Sequence, residues 1–162
     1  RCTSYDQSLH RRETFARYLT PSRPAQPQLA SAQAVAAELR ILVVEDNPVN
    51  QRLSEQILKK LGASVAIAAN GAEAVAACRR ERFDLIFMDC QMPVMDGFAA
   101  TKAIRAIEPP EQHTPIIAMT ANAMPGDRQQ CIDAGMDDYL SKPVRVDEIS
   151  AAIARYAVRV SV

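Results

Sequence analysis

The sequence has few of the residues from which zinc sites and thiol-based active sites are built. Its only histidines are His10 and His113, and its four cysteines, Cys2, Cys78, Cys90 and Cys131, lie far apart without a Cys-x-x-Cys pair. This spacing argues against the usual zinc ligand patterns and favours reduced thiols in a cytoplasmic chain. We expect both histidines to be exposed, and Cys78 to pack as a small hydrophobic residue on an apolar helical face.

An excess of charge and a long apolar run are both absent. Lysine plus arginine and aspartate plus glutamate each number 19, which argues against a polybasic surface for nucleic acid or membranes. No run approaches the roughly 18 apolar residues of a membrane span, and the first residues do not follow the signal-peptide pattern. We therefore expect a soluble piece without direct membrane contact. Because it begins with Arg1, we also expect a fragment of a longer protein.

The first part of the chain differs in composition from the rest. Prolines at positions 21, 24 and 27 favour an extended linker, and the alanine-rich run from Leu29 to Leu39 is compatible with a short helix. We interpret residues 1–39 as a linker or tether, residues 40–158 as one domain and residues 159–162 as a tail.

From Ile41 onward, short apolar runs alternate with amphipathic stretches, which is typical of βα units in a parallel sheet. The predicted strands are 41–44, 65–68, 85–88, 116–119 and 138–141, and the predicted helices are one after Asn47-Pro48 and four at about 72–80, 98–107, 128–134 and 147–157. Asn47 supplies a cap before a proline at the first helical position, and Gly62 and Gly135 are predicted to end helices. The pattern predicts an α/β fold in which helices cover both faces of the sheet.

Polar residues of the types that bind metals or react with substrates follow four of the predicted strands. Glu45 and Asp46 follow the first strand, Asp89 the third, Thr120 the fourth and Lys142 the fifth. In an open parallel sheet, ligands bind at the carboxyl ends of the strands, where the winding reverses direction. With a doubly wound, flavodoxin-like order 2-1-3-4-5, strands 1 and 3 flank that point, so their carboxylates share one crevice.

Three carboxylates in one crevice repel each other unless a cation neutralises them. Carboxylate oxygens without a nearby histidine or thiolate favour Mg²⁺, which readily adds phosphate oxygens. With the ammonium of Lys142 and the hydroxyl of Thr120, the set predicts a phosphoryl-transfer site whose nucleophile is Asp89. Each residue alone is equally well explained as a turn former, a helix cap or a surface charge, so the prediction depends on their joint placement.

Four segments, in this order, resemble the receiver domains of response regulators and hybrid histidine kinases. They are Ile41–Asn47, Met88–Gly97, Met119–Ala121 and Tyr139–Pro143. The resemblance implies that Glu45, Asp46, Asp89 and the backbone carbonyl of Gln91 bind Mg²⁺ and that Asp89 is phosphorylated. It further implies that Thr120 and Lys142 bind phosphoryl oxygens, that Tyr139 is an aromatic switch residue, and that the Lys142-Pro143 peptide bond is cis.

The sequence around Asp89 and Thr120 is most similar to receivers fused to hybrid sensor kinases, and the proline-rich leader is consistent with such a fusion. The resemblance implies a signalling phosphoacceptor rather than an enzyme, with a histidine kinase domain and a histidine phosphotransfer domain as partners. It is compatible with an inner-membrane sensor kinase as the parent protein. No helix-turn-helix follows the last predicted helix, so we expect no nucleic-acid partner.

Two other functions are compatible with part of this pattern. A haloacid-dehalogenase-like phosphatase also uses an aspartyl phosphate and Mg²⁺, but it resembles this chain poorly, because its nucleophile belongs to an Asp-x-Asp pair after the first strand and position 91 is glutamine. A degenerate receiver would only bind proteins, and such versions usually lose one of the residues that this sequence keeps. The surroundings of His10 do not resemble a kinase phosphorylation helix.

Overall fold

The computed structural model describes residues 39–121 and 125–157, in which strands and helices alternate along the chain. Strands β1 to β5 span Arg40–Val44, Ser64–Ala68, Leu85–Asp89, Ile116–Thr120 and Asp138–Ser141. Helices α1 to α5 span Pro48–Lys60, Gly71–Arg80, Gly97–Ile107, Pro125–Ala134 and Val146–Ala157. None of these helices is long and apolar enough to cross a bilayer. The predicted tail and all of the predicted tether except Leu39 lie outside the described residues.

The strands form one parallel sheet in the order β2-β1-β3-β4-β5. Val43 of β1 pairs with Phe87 of β3, which pairs with Ile117 of β4. The carboxyl ends of these central strands therefore lie side by side. The predicted flavodoxin-like fold and its strand order are confirmed.

Two hydrophobic layers hold the helices against the sheet. On one face, Leu58 of α1 and Ile153 of α5 pack with β-strand residues such as Phe87. On the other face, residues from α2, α3 and α4 pack with a second set of strand residues, among them Met88. Strand β3 is buried over its whole length. Its near-continuous apolar sequence is explained by this coverage on both faces.

The helix boundaries follow local sequence signals. The side chain of Asn47 accepts a hydrogen bond from the backbone N–H of Val49 at 2.9 Å, and Pro48 occupies the first turn of α1. Gly62 and Gly135, with φ of 96° and 94°, follow the ends of α1 and α4, as predicted. Helix α4, however, begins at Pro125 rather than near position 128, because proline is well suited to a first helical turn.

The apolar stripe of α1 is only half buried. Ile57 and Leu61, near its C-terminal end, are in the core, whereas Val49 and Leu53 are 74% and 48% exposed. Helical spacing predicted the stripe correctly but not its burial. The first two turns of α1 thus present apolar side chains to solvent next to the end of β1.

The connection between β3 and α3 is tightly packed against the sheet. The N–H of Gly97 donates to the carbonyl of Cys90 at 3.2 Å, and a Cβ atom on Gly97 would lie 2.1 Å from the backbone oxygen of Asp89. The N–H of Gly71 donates to the carbonyl of Met95 in the same connection at 3.1 Å. Glycine at position 97 therefore allows α3 to begin against the end of β3.

We predict that Gly97→Ala destabilises the domain by about 3 kcal/mol, because its methyl group would overlap backbone that cannot move without disturbing β3. Gly126→Ala in α4 is the matched control, since a Cβ there meets no atom within 4 Å. That control should be neutral or stabilising by about 0.5–1 kcal/mol. Urea denaturation measures both, and equal stability of the two variants would contradict the packing argument.

Candidate functional site

Three carboxylates meet at the carboxyl edge of the sheet, as the strand order requires. Glu45 and Asp46 directly follow β1, and Asp89 is the last residue of the adjacent strand β3. One oxygen from each carboxylate lies within 4.8 Å of the others. Glu45 and Asp89 are only 2% and 4% exposed, whereas Asp46 is exposed. The cluster therefore consists of two buried carboxylates and one carboxylate that is exposed to solvent.

Lys142 joins the two buried carboxylates. Its Nζ donates to Glu45 Oε2 at 2.8 Å and to Asp89 Oδ2 at 2.7 Å. Its backbone N–H donates to the carbonyl of Thr120 at 2.7 Å. The side chain is thus aimed into the cluster while its backbone is attached to β4. The Lys142-Pro143 peptide bond is cis, as the resemblance implied.

Burial and charge act in opposite directions on this pair. Burial raises the pKa of Asp89, and hydrogen bonds from Lys142 and from the backbone N–H of Gln91 only partly offset it. Burial lowers the pKa of Lys142, but its hydrogen bonds to Asp89 and Glu45 outweigh burial, so that the net direction is upward. The ammonium is therefore held in its charged form by two acceptors that have lost most of their water.

Thr120 and Tyr139 lie beside the cluster on neighbouring strands. Thr120 ends β4 and is buried, and its register partner in β5 is Ser141. Tyr139 is half-buried and packs against the core layer that contains α4. The Arg128 guanidinium lies 6.0 Å from the centroid of its ring. A hydroxyl and an aromatic ring are therefore carried by adjacent strands, and Tyr139 pairs in register with Ala118, two residues before Thr120.

Two residues that the sequence analysis missed position Glu45. Asn50 Nδ2 donates to Glu45 Oε1 at 3.1 Å, and Gln51 Nε2 donates to the backbone carbonyl of Glu45 at 2.6 Å. Both are in the first turns of α1, five and six residues after Glu45. Two amide side chains this close to an acidic pair, just inside a capped helix, were the available signal.

The connection after Asp89 adds a hydrogen bond and a strained residue. The backbone N–H of Gln91 donates to Asp89 Oδ1 at 3.1 Å. Val94 has a φ of 71° and is 86% exposed. A β-branched residue rarely adopts this left-handed conformation. The loop after Asp89 thus holds Val94 in a strained backbone conformation with its apolar side chain in solvent.

The donor set fits a small divalent cation with oxygen ligands. One ammonium among three carboxylates leaves two uncompensated negative charges. One Mg²⁺ would neutralise both. No histidine or cysteine belongs to the group among the described residues. Mg²⁺ is commonly held by one or two carboxylates and completes its shell with water and phosphate oxygens.

Comparison with known proteins places this arrangement in a family. Residues 41–154 match the model of the response regulator receiver domain. The chain is 46% identical over 121 residues to hybrid signal transduction histidine kinase G of Dictyostelium discoideum, covering 74% of this chain and 4% of that protein. It is 39% identical over 140 residues to the sensor protein GacS of Pseudomonas syringae, covering 80% of this chain and 15% of that protein.

Solved structures give the same result. The receiver domain of sensor histidine kinase PA1611 from Pseudomonas aeruginosa, crystallised with a magnesium ion in its active-site cleft, is 48% identical, with a TM-score of 0.69 over 74% of this chain and 98% of that one. The co-crystal structure of the Saccharomyces cerevisiae phosphotransfer protein Ypd1 with the receiver domain of Ssk1 gives 34% identity and a TM-score of 0.72 over 76% of this chain and 92% of that one. On the evidence of its fold, its strand-end residues and these matches, the chain belongs to the response regulator receiver domain family.

Proposed function

We propose that this domain accepts a phosphoryl group on Asp89 and passes on the signal through a change of conformation. The observation that carries the proposal is the direct contact of Lys142 Nζ with Asp89 Oδ2 in a carboxylate cluster at the carboxyl edge of the sheet. Asp89 lies at the centre of this edge, while Glu45 is held by Asn50 and Lys142. Asp89 is thus the carboxylate best placed to react.

The proposed reaction is a displacement at phosphorus. A carboxylate oxygen of Asp89 attacks the phosphorus of a phosphohistidine, an O–P bond forms, the N–P bond breaks, and its electron pair remains on the leaving imidazole. Negative charge spreads over the phosphoryl oxygens during transfer. The Lys142 ammonium and the Thr120 hydroxyl are the groups of this chain that stabilise those oxygens.

We propose Glu45, Asp46, Asp89 and the backbone carbonyl of Gln91 as the protein ligands of Mg²⁺. The three carboxylates are supported by their mutual distances, and the related Pseudomonas aeruginosa receiver holds magnesium in its active-site cleft. When bound, the ion neutralises the carboxylates and the phosphoryl oxygens electrostatically. Lys142 contributes one positive charge to the same carboxylates.

A phosphatase of the haloacid-dehalogenase type is less compatible with this site. Its nucleophile would follow the first strand as part of an Asp-x-Asp pair, whereas Asp89 ends β3 and is followed two residues later by glutamine. We propose a phosphoacceptor that carries one phosphoryl group, not an enzyme with turnover on free phosphomonoesters. A turnover assay on small phosphomonoesters distinguishes the two.

We propose that a histidine kinase domain and a histidine phosphotransfer domain are the partners, with the exposed turns of α1 as the docking surface. Val49 and Leu53 of α1 and Val94 of the loop after β3 are exposed, and Ile67 of β2 lies beside Val49. Apolar side chains that surround a charged centre can exclude water when a partner binds. The Ssk1 receiver was crystallised with its phosphotransfer protein Ypd1, which supports a partner of this kind.

We predict that Asp89→Asn abolishes phosphorylation, because an amide oxygen is a much weaker nucleophile than a carboxylate. Incubation with acetyl phosphate and Mg²⁺, followed by intact-mass measurement, should show one added phosphoryl group on the unaltered chain and none on the variant. Asp96→Asn is the matched control, since Asp96 caps α3 through Ala99 at 2.8 Å and asparagine also caps helices. Labelling of Asp89→Asn would assign the acceptor to another residue.

We predict that Asp46→Ala weakens Mg²⁺ binding by at least about tenfold, because one of the few charged ligands is lost. Asp147→Ala removes an exposed carboxylate that is not part of the cluster, with 70% side-chain exposure, and should leave the affinity unchanged. The chain contains no tryptophan, so calorimetry or amide chemical shifts provide the titration. Equal affinities in the two variants would remove Asp46 from the ligand set.

We predict that Thr120→Ala still accepts phosphate on Asp89 but loses most of the conformational change at β5. The Thr120 hydroxyl can donate to a phosphoryl oxygen, and its movement vacates space into which the Tyr139 ring can turn. Backbone amide shifts of Asp138–Ser141, with and without a beryllofluoride mimic of the phosphoryl group, measure the change. Shifts as large in Thr120→Ala as in the unaltered chain would show that the hydroxyl is not the coupling group.

A further inference from the structure

A cavity of about 360 Å³ lies at the edge of the sheet opposite the carboxylate cluster. It is formed by the C-terminal ends of α2 and α3 together with the segments that lead into β3 and β4. Ile107 is the exposed apolar residue of its lining, and Phe83, Ile86 and Ile104 form the buried base beneath it. The volume is within the range of about 300–1,000 Å³ that is usual for small-molecule sites.

Three arginines at this cavity have no ionic partner among residues 39–121 and 125–157. Arg79, Arg80 and Arg82 line it and are exposed, and within the described part of the chain none of them makes a hydrogen bond or an ion pair. Cations in the last turn of a helix are favoured by the helix dipole, which accounts for Arg79 and Arg80. Arg82 lies beyond the end of α2, so the dipole does not explain it.

The acidic residues of the cavity are already paired. Glu81 forms an ion pair with Arg40, and Glu108 forms one with Arg105 at 2.7 Å. Both carboxylates therefore contact cations outside the cavity, although Arg105 also pairs with Asp137, and in the lining itself the three arginines outnumber the two glutamates. Guanidinium groups match the oxygens of a phosphate in a forked, charge-assisted geometry.

The cavity also has a polar group with unused hydrogen-bonding capacity. Gln112 Nε2 donates to Thr114 Oγ1 at 3.4 Å, while Gln112 Oε1 is buried without a hydrogen-bond partner among the described residues. A buried acceptor without a partner destabilises the folded state. A small rotation of this amide toward a ligand that carries an N–H or O–H group would remove that destabilisation.

We propose that this cavity binds a small phosphomonoester with a flat, largely apolar body and a hydrogen-bond donor, the chemical class of nucleoside monophosphates. The phosphate contacts Arg79, Arg80 and Arg82, and the body lies against Phe83 and Ile107. The site is separate from the carboxylate cluster, so the proposal does not depend on phosphorylation of Asp89.

The test uses adenosine 5′-monophosphate and cytidine 5′-monophosphate as probes, with adenosine and inorganic phosphate as controls that lack one half of the ligand. Calorimetry gives the affinities, and backbone amide shifts give the location. Both probes should shift the amides of residues 78–83 and 107–114. Adenosine and inorganic phosphate should each bind at least about tenfold more weakly, because each lacks either the charged or the apolar contacts.

A triple variant, Arg79→Gln with Arg80→Gln and Arg82→Gln, tests the arginines. Its control is Arg52→Gln with Lys60→Gln and Lys102→Gln, which removes the same charge from exposed positions elsewhere. The first variant should lose at least about tenfold in affinity and the control should bind as the unaltered chain does. Circular dichroism and labelling of Asp89 by acetyl phosphate verify that both are folded.

Three results would overturn the proposal. The first is an absence of shifts around the cavity with both probes, or shifts that appear only near Asp89. The second is an equal loss of affinity in the two triple variants, which would indicate a general charge effect. The third is binding of inorganic phosphate as tight as that of the two organic probes.

Discussion

The contact of one partly buried ammonium with two buried carboxylates organises the carboxyl edge of this domain. Lys142 comes from the end of β5, Glu45 from the end of β1 and Asp89 from the end of β3. Removing Lys142 would leave two buried carboxylates without their cation in a place that has little water, which is strongly destabilising. The strand order and the packing of the loop after Asp89 bring these groups to one point.

A second charged cluster, at the opposite edge, shows how a purely structural arrangement differs. Arg105 donates to the carbonyls of Gly135 and Thr114, each at 2.9 Å, and pairs with Glu108 and Asp137. Its donors are used to tie the ends of α3 and α4 to β4. In the carboxylate cluster, by contrast, Asp46 is exposed, whereas the side chains of Glu108 and Asp137 are only 10% and 17% exposed. A binding site therefore differs from a structural ion-pair cluster in having an accessible group that can bind a ligand, not in the presence of charge.

Most of the fold followed from the sequence because βα units carry strong local signals. The apolar runs, Asn47-Pro48 and Gly62 predicted elements that the structure confirms, and the strand-end rule placed the carboxylates and Lys142 together. Helix α4 begins at Pro125, before the predicted start near position 128, because a proline in the first helical turn contributes nothing to the apolar periodicity on which the prediction depended. The contacts of Asn50 and Gln51 depend on side-chain direction within a helix, and the cavity near Arg82 depends on how two helices end in space. Neither quantity is encoded in hydrophobic periodicity.

The hydrogen bond from the N–H of Lys142 to the carbonyl of Thr120 has a consequence for the kinetics of signalling. It joins the backbone of β4 to the residue that contacts both buried carboxylates, so that in the proposed switch Thr120 responds to a phosphoryl group mainly by rotation of its side chain. Rotations of that kind are intrinsically fast, whereas collective shifts of helices take about microseconds to milliseconds. The slow step of the switch would then lie in the repacking of α4 around Tyr139, and substitutions in α4 would alter its rate without altering the chemistry at Asp89.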